Sequence, residues 1–126
     1  MKFLILGCGS IGERHITNIL NKFPQYEIDV FDENIKRIEQ IISKFNVNVT
    51  EENAIDSKYD CVFVCTPPIS HIPLAIRAMK AGSNVFVEKP LSTNINGINE
   101  LKKLSIEKNK HVFVGFNFRF NKGIKT

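Results

Sequence analysis

The stretch Lys2-Phe3-Leu4-Ile5-Leu6-Gly7-Cys8-Gly9-Ser10-Ile11-Gly12 decides the fold. A short apolar run ending in glycine reads as a buried strand. Beyond it, Ile11, Ile16, Ile19, Leu20 and Phe23 recur at helical spacing. A bare GxGxxG is weak evidence. Between a strand and a helix it marks a dinucleotide-binding turn. Gly7 permits the tight turn, Gly9 lets the backbone approach a pyrophosphate, and Gly12 lets helix and strand pack closely. The helix start at Ser10 and Ile11 offers unpaired N–H groups and partial positive charge to phosphates.

Outward from this turn, Glu27 to Phe31 reads as a second strand ending at Asp32. An acidic group there accepts hydrogen bonds from an adenine-ribose diol and repels a 2′-phosphate, which favours NAD over NADP. Lys36 and Arg37 lie one helical turn on, soften that preference and leave NADP open. Ile35, Ile38, Ile41, Ile42 and Phe45 predict an amphipathic helix, and Val47 with Val49 a short third strand. Residues 50–59 are polar and read as a loop or weak helical turn. Asp60 to Cys65 predicts a fourth strand, apolar on both faces, as in a parallel sheet covered from both sides. Thr66-Pro67-Pro68 stops it. Ser70 is the expected N-cap of a helix that tolerates Pro73 in its first turn and ends at Gly82. Asn84 to Val87 predicts a fifth strand, Ile95, Ile98, Leu101 and Leu104 a last helix, and His111 to Phe120 a sixth strand. Strands separated by helices imply right-handed βαβ units and a parallel sheet. The expected fold is a single α/β domain of the Rossmann type, doubly wound, with strand order 3-2-1-4-5-6.

The composition agrees. The chain has 126 residues, 43% of them hydrophobic and 24% charged, with a net charge of +4. That is one domain's length, too apolar for disorder. No run approaches the ~18 apolar residues that span a bilayer. The apolar stretch before Gly7 is shorter than the ~7–15 residues of a signal-peptide core, so a cytoplasmic location is expected, with no membrane partner. Lys102, Lys103, Lys108 and Lys110 alternate with Glu100 and Glu107, which reads as a solvated helix face. Nothing resembles a nucleic-acid reading motif. Three cysteines, Cys8, Cys61 and Cys65, argue against a disulfide framework. Cys61 and Cys65 stand about 13 Å apart along a strand, too far to share a metal ion. Buried thiols are expected.

The segments Val64-Cys65-Thr66-Pro67-Pro68-Ile69-Ser70-His71 and Val85-Phe86-Val87-Glu88-Lys89-Pro90-Leu91 both fall at the carboxyl ends of predicted strands. There an open α/β sheet forms its ligand crevice. With these segments in place the chain resembles the N-terminal half of the glucose–fructose oxidoreductase, inositol dehydrogenase and rhizopine-catabolism family (Gfo/Idh/MocA). The matching features are Gly7-x-Gly9-x-x-Gly12-x-x-His15, Asp32, Thr66-Pro67 with His71, Glu88-Lys89-Pro90, and Gly115-Phe116-Asn117-x-Arg119-Phe120. The Glu-Lys-Pro element is the most specific of them. The resemblance implies an NAD(P)-dependent oxidoreductase of sugars, cyclitols or sugar nucleotides. It places Lys89 between nicotinamide and substrate, with its ammonium on a substrate hydroxyl. It assigns Glu88 to holding that lysine and lining the cofactor site, and Thr66 and Pro67 to the ribose and pyrophosphate; His71 reads equally as a cofactor-side residue or as an ordinary first-turn residue of its helix. Asn117 and Arg119 fall on the substrate side. His15 reads as a packing or capping residue, and either isomer of Pro90 suits the turn.

Members of that family continue into a second, largely antiparallel domain that carries an Asp and a His on a helix. Residues 1–120 are therefore expected to form the dinucleotide-binding domain, and 121–126 the start of a connection to a substrate domain. A fragment of this kind is expected to bind cofactor without turnover. Phe116, Phe118 and Phe120 alternate onto one strand face, which suggests pairing of two copies there. Two other readings share parts of the sequence. One is a stand-alone NAD-binding sensor or subunit served by a partner chain. The other is a methyltransferase using S-adenosylmethionine, against which the two strand-end clusters speak.

Overall fold

A computed structural model describes residues 1–91 and 95–115. Its strands are β1 (Lys2–Leu6), β2 (Glu27–Phe31), β3 (Asn48–Val49), β4 (Cys61–Val64), β5 (Asn84–Glu88) and β6 (Val112–Gly115). Its helices are α1 (Ser10–Lys22), α2 (Ile35–Lys44), α3 (His71–Lys80) and α4 (Ile98–Lys108). Short 3₁₀ turns cover Glu52–Asp56 and Pro68–Ser70. The sheet runs β3-β2-β1-β4-β5-β6, with every pairing parallel. This is the doubly wound order that the alternation of strands and helices predicts.

Side chains alternate across each strand, so the sheet feeds two cores. Leu4, Leu6, Val62, Val64, Val85 and Val87 point to one face and pack with Ile72, Ala75, Ala78 and Met79 of α3 and Leu101 and Leu104 of α4. Ile5, Ile28 and Val30 point to the other face and meet Ile16 of α1 and Ile41 of α2. Each such aliphatic side chain, removed from water, contributes roughly 1.5–3 kcal/mol. The cores hold the strand ends in register, and the register places the site.

Three local expectations change. The fourth strand is fully covered on one face only: Val62 and Val64 are buried, whereas Cys61 and Phe63 are partly buried. Cys65 is likewise partly buried, and all three thiols are free. The last helix starts at Ile98, not Ile95. Gly97 takes a left-handed conformation (φ 83°) and tucks against Ile72, which leaves Ile95 85% exposed. Ser70 stands at the start of α3 but does not cap it. Its hydroxyl instead donates to the Pro67 carbonyl and pairs with the Thr66 hydroxyl. The sixth strand is described from Val112 to Gly115, so Phe116, Asn117, Phe118, Arg119 and Phe120 lie outside the described residues. Among the described residues no helix is long and apolar enough to cross a membrane.

Candidate dinucleotide site

β1 delivers the chain to Gly7, whose φ of 93° is open to glycine. The Gly7 N–H donates to the Phe31 carbonyl at 2.9 Å, which ties the turn to β2. A side chain at Gly7 would press into the Cys65 carbonyl, and one at Gly12 would fall on the Gly7 carbonyl oxygen. These two glycines are demanded by close approach of backbone to backbone. Gly9 differs. A Cβ there would meet only the Arg37 guanidinium, at 3.8 Å. The packing of the protein itself does not require a glycine there. α1 then starts at Ser10 with Gly9 as its N-cap and no side-chain cap. Its first N–H groups therefore have no partner within the helix.

Asp32 stands beside this turn. Its Oδ2 accepts the Cys8 N–H at 2.7 Å and its Oδ1 accepts the Asn34 N–H at 2.7 Å. Arg37 Nη1 lies 3.6 Å from Oδ2. The carboxylate is thus fixed by main-chain donors beside a groove of about 510 Å³, lined among others by Gly7, Asp32, Asn34, Arg37, Thr66 and Pro67. The glycine turn, the open helix start and the placed acid fit a dinucleotide's pyrophosphate and adenosine ribose.

The second part of the site lies at the ends of β4 and β5. Thr66 Oγ1 and Ser70 Oγ pair at 2.6 Å and close the turn that carries Pro67. β5 ends at Glu88, whose Oε1 meets His15 Nε2 at 2.5 Å. The His15 ring is packed between Phe63 and Phe86, with centroids at 5.1 and 5.0 Å. Gly115 faces Glu88 across the sheet, and a side chain there would strike the Phe86 ring. The exposed Lys89 follows, and the Lys89–Pro90 peptide is cis. His71, in contrast, is buried, with its ring nitrogens on the Thr66 and Pro90 carbonyls.

The structure therefore brings Gly7, Gly9, Ser10, Ile11, Gly12, Asp32, Thr66 and Pro67 to one end of the sheet, around or beside the groove. Glu88 and Lys89 stand at the end of the next strand, outside the lining of that groove. His71 lies beneath both loops. Asn117 and Arg119 lie outside the described residues. Sequence reasoning missed the pairing of His15 with Glu88, separated by 73 positions. The only available signal was a histidine three residues after Gly12, on the side of α1 that meets the sheet.

The nearby thiols are chemically quiet. Burial, then the negative charge of Asp32, pushes Cys8 up to about 12. Burial, then the charge of Glu88, also raises Cys65 well above the ordinary thiol range. Neither supplies a thiolate near neutral pH. Among the described residues no group of three His, Cys, Asp or Glu is arranged to hold a metal ion.

A glycine turn between β1 and α1, an acid at the end of β2 and a crevice at the strand ends define a dinucleotide-binding domain. Residues 1–116 match the family described as "Oxidoreductase family, NAD-binding Rossmann fold", GFO_IDH_MocA. The chain belongs to the Gfo/Idh/MocA oxidoreductase family and carries its NAD-binding Rossmann domain. It is 33% identical to inositol 2-dehydrogenase/D-chiro-inositol 3-dehydrogenase of Halalkalibacterium halodurans, over 98% of this chain and 37% of the relative. It is similar in structure to myo-inositol 2-dehydrogenase of Lactobacillus plantarum (TM-score 0.85, 29% identity), covering 97% of this chain and 38% of the other. It is also similar to the WlbA dehydrogenase of Chromobacterium violaceum, solved with NADH and UDP-GlcNAcA (TM-score 0.85, 25% identity, 96% and 36% covered). The chain thus spans little more than a third of the length of these relatives.

Proposed function

We propose that this chain is the cofactor-binding part of a dehydrogenase that moves a hydride between NAD and a hydroxyl of a sugar, cyclitol or sugar nucleotide. The observation that carries the reading is Asp32. Its carboxylate is locked to the phosphate turn through the Cys8 N–H while it borders the groove. The substrate class is supported by the inositol and UDP-GlcNAcA proteins that the chain resembles.

NAD, when bound, supplies the hydride acceptor. The chain's own residues do the rest. The backbone of Gly7 to Gly12, with the first N–H groups of α1 at Ser10 and Ile11, holds the pyrophosphate. Asp32 accepts from the adenine-ribose hydroxyls. Thr66 and Pro67 border the cofactor on the β4 side. Glu88, braced by His15, sets the end of β5 so that Lys89 reaches the nicotinamide side. There its ammonium donates to the substrate hydroxyl oxygen. Asn117 and Arg119 are further proposed contacts to substrate, by resemblance alone.

Oxidation of an alcohol also needs a proton acceptor within hydrogen-bond reach of a held substrate. Lys89 could in principle take that proton in its neutral form, but these 126 residues do not by themselves hold a substrate against it, so alone they are expected to bind cofactor without turnover. Calorimetry with NAD, NADP and S-adenosylmethionine tests the binding. The expected order is NAD tightest, NADP weaker and S-adenosylmethionine unbound. Preference for S-adenosylmethionine overturns the reading. A dehydrogenase assay over sugars and inositols tests the second point, and robust activity from this chain alone overturns it.

A further inference from the structure

His71 opens α3 on a firmly packed platform, with Ile72, Ala75, Ala78 and Met79 at 0–4% exposure directly behind it. Its own ring is 1% exposed. Nδ1 lies 2.7 Å from the Pro90 carbonyl oxygen and Nε2 lies 2.7 Å from the Thr66 carbonyl oxygen. A histidine so placed offers a ligand no open edge. What it touches are the backbones of two loops, one after β4 and one after β5.

Both acceptors are carbonyls, which cannot donate. A neutral imidazole carries one N–H and serves one of them, whereas a ring with both protons serves both. In either state the ring is the spacer between the loops. Thr66 borders the groove on the phosphate-turn side. Pro90 directly follows Lys89. The distance between these two parts of the site is therefore set by the width of one imidazole seated on α3.

We infer that His71 is a positioning residue: its ring ties the Thr66–Pro67 turn to the Lys89–Pro90 turn and so sets Lys89 at a fixed reach from the bound dinucleotide. The inference rests on the proposed placement of Lys89 at the nicotinamide side. It gives the two nitrogens separate tasks. Nε2 supports the β4 loop, which meets the adenosine and pyrophosphate part. Nδ1 supports the β5 loop, which meets the nicotinamide part.

The test compares NADH with ADP-ribose, which lacks the nicotinamide, by calorimetry on the 126-residue chain. His71→Ala removes both ties. His71→Asn carries an amide that reaches about as far as Nδ1, and His71→Gln one that reaches about as far as Nε2. The wild type should bind NADH more tightly than ADP-ribose. His71→Ala should weaken ADP-ribose binding and in addition lose about tenfold of that margin. His71→Asn should restore the margin, while His71→Gln should restore ADP-ribose affinity and leave the margin small. A merely structural histidine would instead lower both affinities together, with Asn and Gln equivalent. That result, an unchanged margin in all three variants, or a wild type with no margin overturns the inference. A wild type that binds neither nucleotide overturns the proposed function as well, so the two failures are distinguishable.

Discussion

Asp29 lies within β2 and Asp32 directly follows that strand, and both carboxylates are largely buried. They are satisfied in different ways. Asp29 receives the Tyr59 hydroxyl at 2.7 Å and the Asn48 amide at 3.3 Å, with the Lys2 ammonium at 3.5 Å. All of these partners are side chains brought in from β1, β3 and the segment before β4. Asp32 receives two main-chain N–H groups, from Cys8 and Asn34, and its remaining edge borders the groove. A carboxylate closed in by the fold's own side chains holds elements together. A carboxylate oriented by backbone and left beside a groove is ready for a ligand and is less needed for folding. Burial alone does not separate the two; the donors do.

The largest effect should come from breaking the backbone frame that orients Asp32. Gly12→Ala places a methyl group on the Gly7 carbonyl oxygen, with Ile5 behind it. The turn must shift, at a cost of about 3 kcal/mol. Urea denaturation should show the lower midpoint, and NAD binding should be lost with it. A variant that folds and binds like the wild type would remove the close-packing argument for this turn.

Next in size is Tyr59→Phe, which takes away the hydroxyl of the buried pair. Asp29 then lacks its shortest donor, and stability should fall by about 1–3 kcal/mol with NAD affinity unchanged. The pH dependence carries a sign. Burial, then the hydrogen bond to Asp29, raises the Tyr59 phenol well above its ordinary value of 10.0. A group whose folded pKa is raised contributes stability below its unfolded pKa and loses it as pH climbs towards the folded value. Wild-type stability should therefore decline above pH 10, and the Phe variant should lack that part of the decline. Equal slopes in the two proteins would argue against the pair.

Asp32→Ala should do the reverse of Tyr59→Phe. NAD affinity should weaken about tenfold, roughly 1.4 kcal/mol, while the denaturation midpoint moves less than in Tyr59→Phe. NADP should lose less than NAD, because the repulsion of its 2′-phosphate goes as well. An Asp32 variant as unstable as the Tyr59 variant, with unchanged NAD affinity, would collapse the distinction between the two acids.

Why one acid was readable in the sequence and the other was not follows from the range of their contacts. Asp32 is marked by its spacing from Gly12 and by the strand before it, all local. Strand order was legible for the same reason, since apolar alternation and glycine stops are local signals. The partners of Asp29 lie 19 to 30 positions away along the chain, and nothing in Glu27-Ile28-Asp29-Val30-Phe31 announces them. His15 and Glu88 are further apart still. Ser70 was rightly placed at a helix start, but its hydroxyl serves the preceding turn rather than the helix. Ile95 continued the apolar stripe of α4 on paper, and the left-handed Gly97 cut it off.

The finest test concerns Arg37. Its guanidinium is half exposed, 3.6 Å from the Asp32 carboxylate, and lies over the open face of Gly9. Asp29 has a cation as well, yet Lys2 is only one of three donors there. Arg37 is the one side-chain cation recorded against Asp32 among the described residues. An arginine there offsets part of the acid's charge and can turn its N–H groups to a 2′-phosphate. Arg37→Ala should therefore leave stability nearly unchanged, since the guanidinium is half exposed, 3.6 Å from the carboxylate, and Asp32 keeps its two main-chain donors. It should lower NADP affinity about threefold more than NAD affinity, a difference of about 0.65 kcal/mol. Parallel changes in the two affinities would mean that Asp32 alone sets the preference. A rise in NADP affinity would mean that the guanidinium blocks the groove rather than serving it.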